Sequence, residues 1–309
     1  MGSADGSIVG DVLARAGADD RAVLDGRVFV GRRRVRHAGE AIHEGDVVEI
    51  AAERESPDAV VVLAQSQDLV AVDKPAGIPT IADHAGSAHA LLALAARALG
   101  IDAARIHPTS RLDRDVSGVV VLALTKAAAE RLSRARKEGT YDRRYVAVAS
   151  RAPEPASGAW TTPIGRAQRS PRLRAANGRD AVPASTRYAV CARASGGEVM
   201  LSLAPLTGRT HQIRVHAAHA GAALVGDRAY GGPARVTLAS GRVLEPARIA
   251  LHALRVVVPG SPDAPDAKEA TFVAFAPVPP ALESLWSALG GEPASWDRAA
   301  SWDLRATPS

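Results

Sequence analysis

Residues 110–124 read Ser-Arg-Leu-Asp-Arg-Asp-Val-Ser-Gly-Val-Val-Val-Leu-Ala-Leu. Two carboxylates, Asp113 and Asp115, and two guanidinium groups, Arg111 and Arg114, stand immediately before an unbroken apolar run, Val119 to Leu124. Six apolar residues between polar flanks have the length of a strand buried on both faces, too short for a helix. The charged loop is therefore expected to be anchored by a core strand. Upstream, Ala59 to Ala64 and Leu69 to Val72 read as strands split by a polar turn, followed by the loop Lys74-Pro75-Ala76-Gly77 and a helix over 88–99. Downstream, Lys126 to Lys137 reads as a basic helix and Tyr145 to Ala149 as a strand. Residues 151–184, rich in Pro, Gly and Arg, read mostly as loop and turn. Val199 to Leu203 and Leu251 to Val258 complete a mixed, strand-rich α+β pattern. A last helix, Leu282 to Leu289, precedes a tail containing Trp296 and Trp302.

The 309 residues, 47% hydrophobic and 23% charged, exclude a disordered or fibrous chain and allow two domains. The expected division is a small unit over 1–52, a linker over 53–59 containing Pro57, a main domain over 60–280 and a C-terminal helix and tail over 281–309. The small unit shows a helical pattern through Ile8, Val12 and Leu13, then strands around Val28-Phe29-Val30 and Val47 to Ile50. A single cysteine, Cys191, excludes an internal disulfide and a zinc site built from several thiolates, and fits a reducing compartment. No apolar run approaches the roughly 18 residues of a membrane span. Met1 to Ser7 lacks a signal-peptide pattern, so a cytoplasmic location is expected.

Of 38 cations 34 are arginine, and the net charge is +5. Between Arg131 and Arg179 twelve cations face three acids, a local +9, while the rest of the chain sums to −4. A field concentrated on one segment suits a polyphosphate partner, and arginine binds phosphate bidentately and stacks on bases.

Three chemistries compete for the 110–118 loop. The string Asp113 to Val116 matches metal-dependent phosphatases with an aspartyl nucleophile, but those need the strand before the first acid. Paired glycosidase carboxylates must flank a sugar, which acids two residues apart do badly. A Ser117, His211, Asp113 triad lacks any nucleophile-elbow pattern. A second dense stretch, Thr207 to His216, alternates apolar 213 and 215 with Gln212, Arg214 and His216; as a strand it would turn Arg214 to the polar face.

Taken in order, RLDRDVSG (111–118), RRYVA (143–147), GRTHQIRVHAAHAG (208–221) and VGDRAYG (225–231) resemble the RluA-type family of pseudouridine synthases. VDKPAGIP (72–79) and LHA (251–253) support the likeness, which spans most of residues 60–280. Residues 7–52 resemble the small S4-like RNA-binding domain that often precedes such enzymes. The resemblance implies a mainly antiparallel catalytic domain with a central cleft, and isomerisation of uridine in RNA with no cofactor or metal. The ribose C1′–N1 bond breaks, the uracil turns, and C5 joins C1′. It assigns Asp113 as the catalytic carboxylate, Tyr145 as the stacking aromatic, and Arg214 as the partner of Asp113. Arg111 would help hold the everted nucleotide and Ile213 would line the base pocket, with Arg209, His211 and Gln212 also in substrate binding. Arg32, Arg33, Arg34, Arg143 and Arg144 are expected to contact RNA. The expected partner is ribosomal RNA ahead of transfer RNA, bound by a monomer with no membrane attachment.

The chain departs from the family pattern at Ser110 and Val116, where His and Thr are usual, and at Ala222-Ala223. Val116 cannot donate the hydrogen bond that a threonine would. The 1–52 unit is itself net −2, with its cations gathered at Arg32, Arg33, Arg34 and Arg36. Two rivals follow: a catalytically weakened RNA-binding protein of the same fold, and a magnesium-dependent phosphatase using Asp113 and Asp115.

Overall fold

At the front of the chain Val9 and Leu13, four residues apart, share one helical face and are fully buried with Val23, Val28, Val35 and Ile42. The computed structural model describes residues 8–24, 27–31, 33–50, 60–82, 88–168, 170, 172–238, 240–260 and 271–303. Two units form: Met1–Val60 with Ile78–Ala104, and Val61–Gly77 with Arg105–Ser309.

The first unit holds α1 (Val9–Arg15), α2 (Arg21–Leu24) and an antiparallel sheet with β1 (Val28–Val30) between β2 (Arg33–Arg34) and β3 (Val48–Ile50). It also contains α3 (Leu91–Leu99), which ends at Gly100 in the left-handed conformation, φ 63°. The 78–104 segment was expected in the main domain. Its described residues supply no strand to the large sheet, although its sequence neighbours do, and it groups with the front unit. The 53–59 linker lies outside the described residues.

The second unit is built on β4 (Val61–Gln65), β5 (Leu69–Lys74), β6 (His107–Pro108), β7 (Ser117–Ala123), β8 (Asp142–Ala149), β9 (Ser157–Trp160), β13 (Thr186–Arg193), β14 (Val199–Pro205), β17 (Leu251–Pro259) and β18 (Thr271–Phe275). Their order is β4-β5-β7-β17-β8-β14-β13-β9, with β6 on β7 and β18 on β17. Among the described residues only β7 and β17 pair in parallel, so the sheet is mixed and mainly antiparallel, as the sequence suggested. The parallel pair sets Gly118 opposite Ala253. A side-chain carbon at Gly118 would sit 2.1 Å from the Ala253 carbonyl oxygen, and its φ of 115° also demands glycine.

Strand β7 is buried at all seven positions, as its apolar run requires. Along β8 the period of two sends Tyr145, Ala147 and Ala149 to one face and Val146 and Val148 to the other. The first face packs under α5 (Gln212–His219). The second is covered by α6 (Pro280–Ala288) and α7 (Ser295–Ser301). Trp286 and Trp296 meet edge to face at 6.4 Å, and Arg144 donates to Trp302 O, so both tail tryptophans are tied to the body. Helix α4 (Lys126–Lys137), capped by the Thr125 hydroxyl, lays Ala128, Leu132 and Ala135 on β7.

Residues 151–184 are mostly loop and turn, as expected, but they hold more strand than the sequence shows. Besides β9 they form β10 (Ile164–Arg166), β11 (Arg174–Ala176) and β12 (Arg179–Val182), a three-stranded sheet of order β11-β10-β12. Three- and four-residue strands interrupted by Gly and Arg carry too little alternation to be seen in sequence. A two-stranded ribbon, β15 (Val236–Thr237) and β16 (Val243–Leu244), completes the unit. No helix of the described residues is long and apolar enough to cross a membrane.

Candidate active site

The 110–116 loop is held from beneath by backbone and by one buried amine. Lys74, at the end of β5, is completely buried, and its Nζ donates to the carbonyls of Pro75 and Arg114 at 2.9 Å. Gly77 N–H donates to the same Arg114 carbonyl, and Val116 N–H closes a turn on Asp113 O. Burial, aided by Arg248, pushes Lys74 down to about 7, against the opposing pull of Asp115, Asp113 and Asp73. Val116 fills the apolar cluster beside Ile213 and Leu201, so the departure from threonine becomes a packing contact.

The segment carrying Arg214 is a helix, not a strand. Gln212 forces the entry: its Oε1 accepts from Thr207 Oγ1 (2.6 Å) and Arg209 N (2.9 Å), while its Nε2 donates to Ser185 O and Thr186 Oγ1. His211 turns left-handed, φ 58°, and α5 begins. The polar residues at 212, 214 and 216 are buried because each is fully engaged; His216 bonds Thr186 Oγ1 and Thr162 O. That destroys the amphipathic period by which the helix could have been recognised.

From α5 the Arg214 guanidinium reaches two carboxylates. Its Nη1 donates to Asp113 Oδ2 at 2.9 Å, and its Nε and Nη2 make a bidentate pair with Asp227 at 2.8 Å each. Burial opposes this charge, but Asp227 and Asp113 outweigh it and raise Arg214 above its ordinary value, so it stays charged at any working pH. Asp227 is 1% exposed whereas Asp113 is 24% exposed: one acid serves the protein, the other remains open to a ligand.

Tyr230 lies under the guanidinium, 4.8 Å from its carbon to the ring centre. Its hydroxyl accepts from Arg174 N–H (3.0 Å) and meets His211 Nδ1 at 2.6 Å. With the oxygen already accepting, the phenolic proton is assigned to His211 Nδ1, which puts the imidazole proton on Nε2, 3.9 Å from Asp113 Oδ2. Burial, with Arg214 and Arg174, holds His211 below its usual range despite Asp113, so it is neutral at pH 7.

Tyr145 comes from β8, paired with Leu203 and Ala253, and packs with Leu112 against the cluster of Val116 and Ile213. Burial raises its phenol, Arg143 opposes, and the Asp113 charge adds to the rise, so the acid and the aromatic feel one another. The structure thus brings Asp113, Arg214, Tyr145, Ile213 and His211 together. Arg111 is exposed two residues before the acid, and Arg209 is exposed with its Nε on Pro183 O.

Three expected ligand contacts are corrected. Gln212 is 5% exposed and all its side-chain polar atoms are used internally. Arg144 points to the opposite face of β8, 6% exposed, donating to Trp302 O and pairing with Asp142. Arg143 clamps the carbonyls of Pro205 and Thr207 with Nη2 and stacks on Tyr141. In the front unit Arg33 pairs with Glu40 and Arg34 covers the Phe29 ring, while Arg32 lies outside the described residues.

Asp227, Tyr230 and Lys74 were given no role from sequence, although the strings at 225–231 and 72–79 contain them. A further buried chain was also unseen. Arg248 Nη2 donates to Ser117 Oγ (2.7 Å), which meets His252 Nδ1 (2.7 Å), whose Nε2 faces Ala276 O. A cavity of about 440 Å³ lies against Arg214 and Asp227, lined also by Asp115, Arg228 and Arg248.

Residues 68–219 match the family model described as RNA pseudouridylate synthase. The chain is 33% identical over 195 residues to the dual-specificity RNA pseudouridine synthase RluA of Salmonella typhimurium, covering 63% of this chain and 84% of that protein. It is 32% identical over 229 residues to the uncharacterized RNA pseudouridine synthase YhcT of Bacillus subtilis, covering 70% and 71%. Among solved structures, human RNA pseudouridylate synthase domain containing 1 superposes with a TM-score of 0.60 at 26% identity, over 84% of this chain and 99% of that one.

Proposed function

Since the chain belongs to the RluA-type RNA pseudouridine synthases, isomerases that convert uridine to pseudouridine in RNA, we propose that Asp113 is the carboxylate that acts at the ribose of the target uridine. The observation that carries this reading is the 2.9 Å contact from Arg214 to an acid that remains open to solvent. A carboxylate must be ionised to act at C1′ or to take a proton from the sugar, and a permanent cation at contact distance favours that form. Asp227 fixes the guanidinium, so the field at Asp113 is set before substrate arrives.

The reaction conserves atoms. C1′–N1 breaks, the uracil rotates, C5 bonds to C1′, and the proton displaced from C5 leaves to solvent while N1 regains one. A base cannot do this inside a helix, so it is everted, at a stacking cost of a few kcal/mol. Tyr145 offers a face for the base beside Ile213, and Arg111 stands exposed where it can fill the vacated space. His211, neutral with its proton on Nε2, is a donor toward the same acid or toward a uracil carbonyl. Ribosomal RNA is taken as the substrate, with the front unit as an S4-like contact through Arg34 and its neighbours, and the enzyme as a cytoplasmic monomer.

The test is to incubate wild type and Asp113→Asn with RNA from a strain lacking the gene and to map pseudouridines chemically. New sites made by the wild type alone support the reading; identical maps from both proteins reject the role of Asp113.

A further inference from the structure

The basic stretch between 131 and 179 is only partly used by the fold. Arg143 and Arg144 are spent inside the protein, but the small sheet β11-β10-β12 carries three more arginines, of which Arg174 donates through Nη1 to Leu173 O and Arg166 and Arg179 are exposed. Arg166 on β10 stands directly opposite Arg174 on β11 and directly opposite Arg179 on β12. Opposed residues of antiparallel strands project from the same face, so the three arginine side chains leave the backbone in a row across strands about 4.8 Å apart. Like charges so placed repel one another.

The row is a product of backbone geometry. Ile164 pairs with Val182, and an unbroken register would set Arg166 opposite Asp180, making a cross-strand ion pair. A bulge in β12, with Asp180 at φ 54°, inserts one residue and puts Arg179 there instead. Arg179 is 79% exposed, and its nearest carboxylate, Asp180, is 3.8 Å away and 66% exposed. Arg166 and Arg172 are exposed and have no partner among the described residues.

The row also starts at the active site. Arg174 N–H bonds the Tyr230 hydroxyl, and the Arg174 charge lowers His211. Two residues along the strands, on the same face, Ile164 and Ala176 pack with Val215 of α5 and Tyr230. The arginines therefore occupy the continuation of the face that is seated on the active-site helix.

We infer that Arg174, Arg166 and Arg179 form a sequence-independent phosphate rail, which holds the RNA backbone next to the everted nucleotide. This rests on RNA being the partner, and it names a surface for it. Charge complementarity is the argument: a polyanion removes the repulsion that the bulge creates, and each neutralised phosphate releases counterions.

The experiment uses the full chain and the double variant Arg166→Ala/Arg179→Ala, with bulk ribosomal RNA and, separately, bulk transfer RNA as probes. Affinity is measured across a potassium chloride series. The expected result is that the slope of log K against log salt becomes shallower by about 1.4 to 1.8 in both pools, two lost phosphate contacts at about 0.7 to 0.9 each. Tm should hold or rise as repulsion is relieved, and Arg166→Lys/Arg179→Lys should restore the slope. An unchanged slope overturns the proposal, as does a lower Tm with weaker binding at constant slope, the mark of a structural role. Because the slope is read from binding alone, the two readings fail separately. A protein that makes no pseudouridine but loses slope keeps the rail, whereas one that makes it while the variant keeps the wild-type slope loses the rail.

Discussion

Replacing Asp227 by Asn leaves the size of the side chain intact and removes the charge that orients Arg214. Asp227 accepts two bonds at 2.8 Å from a guanidinium whose side chain is 9% exposed. An Asn keeps one acceptor and turns an amide donor toward an arginine that can only donate. Charge-assisted bonds are worth about 1.5–3 kcal/mol each, and removing one partner of a buried pair costs about 3–5 kcal/mol. With one neutral bond retained, the loss is about 3 kcal/mol, or a Tm lower by about 6–12 °C in a unit of this size. The guanidinium is then tied to Asp113 alone, so the orientation of the acid loosens. Turnover should fall about 10- to 100-fold, with KM within about threefold, because no group that meets the RNA has changed. The assay is single-turnover pseudouridine formation with enzyme in excess, beside thermal unfolding followed by circular dichroism. Turnover within twofold of wild type, with Tm unmoved, would refute the claim that Asp227 holds the site together.

Other outcomes follow from the same geometry. Lys74, held at about 7 against an ordinary 10.5, binds fewer protons when folded than unfolded between those values. Stability should therefore rise with pH from 7 toward 10.5, by at most about 1.4 kcal/mol per pH unit, and be flat below 7 for this group. Denaturant midpoints of wild type and Lys74→Met across that range should show the rise in the former only. Gly118→Ala drives a carbon into the Ala253 carbonyl and should cost about 4 kcal/mol or abolish soluble expression. Gly139→Ala, at φ 73° with open space around it, should cost about 1 kcal/mol. Arg214→Lys keeps the charge but not the fork, so turnover should fall about 100-fold while RNA affinity, read by fluorescence anisotropy, stays within about threefold.

The strands that carry the site were visible because burial on both faces leaves a plain apolar run: β7 and α4 form within a residue or two of their sequence limits. The loop acid and its distant arginine were found by motif order, not by periodicity. What was hidden is polar and buried. Helix α5 looked like an alternating strand because Gln212, Arg214 and His216 are satisfied in the core, where sequence rules expect apolar residues. Asp227 and Lys74 are as charged as any surface residue, and only the partners at 2.8 and 2.9 Å show that they face inward. Arg143 and Arg144 were read as RNA contacts from charge alone. The strand sends them to opposite faces, and both find protein acceptors. The bulge at Asp180 has no sequence signature, so the arginine row could not be read from residues 151–184.

Forming a bond from C5 to C1′ expels the hydrogen on C5, so RNA carrying tritium at uridine C5 reports the reaction as tritium released to water. With wild-type enzyme in excess, one equivalent per target uridine should be released, while Asp113→Asn binds the same RNA with similar affinity and releases none. Release by the Asp113→Asn protein at the wild-type rate would contradict the assignment of that carboxylate.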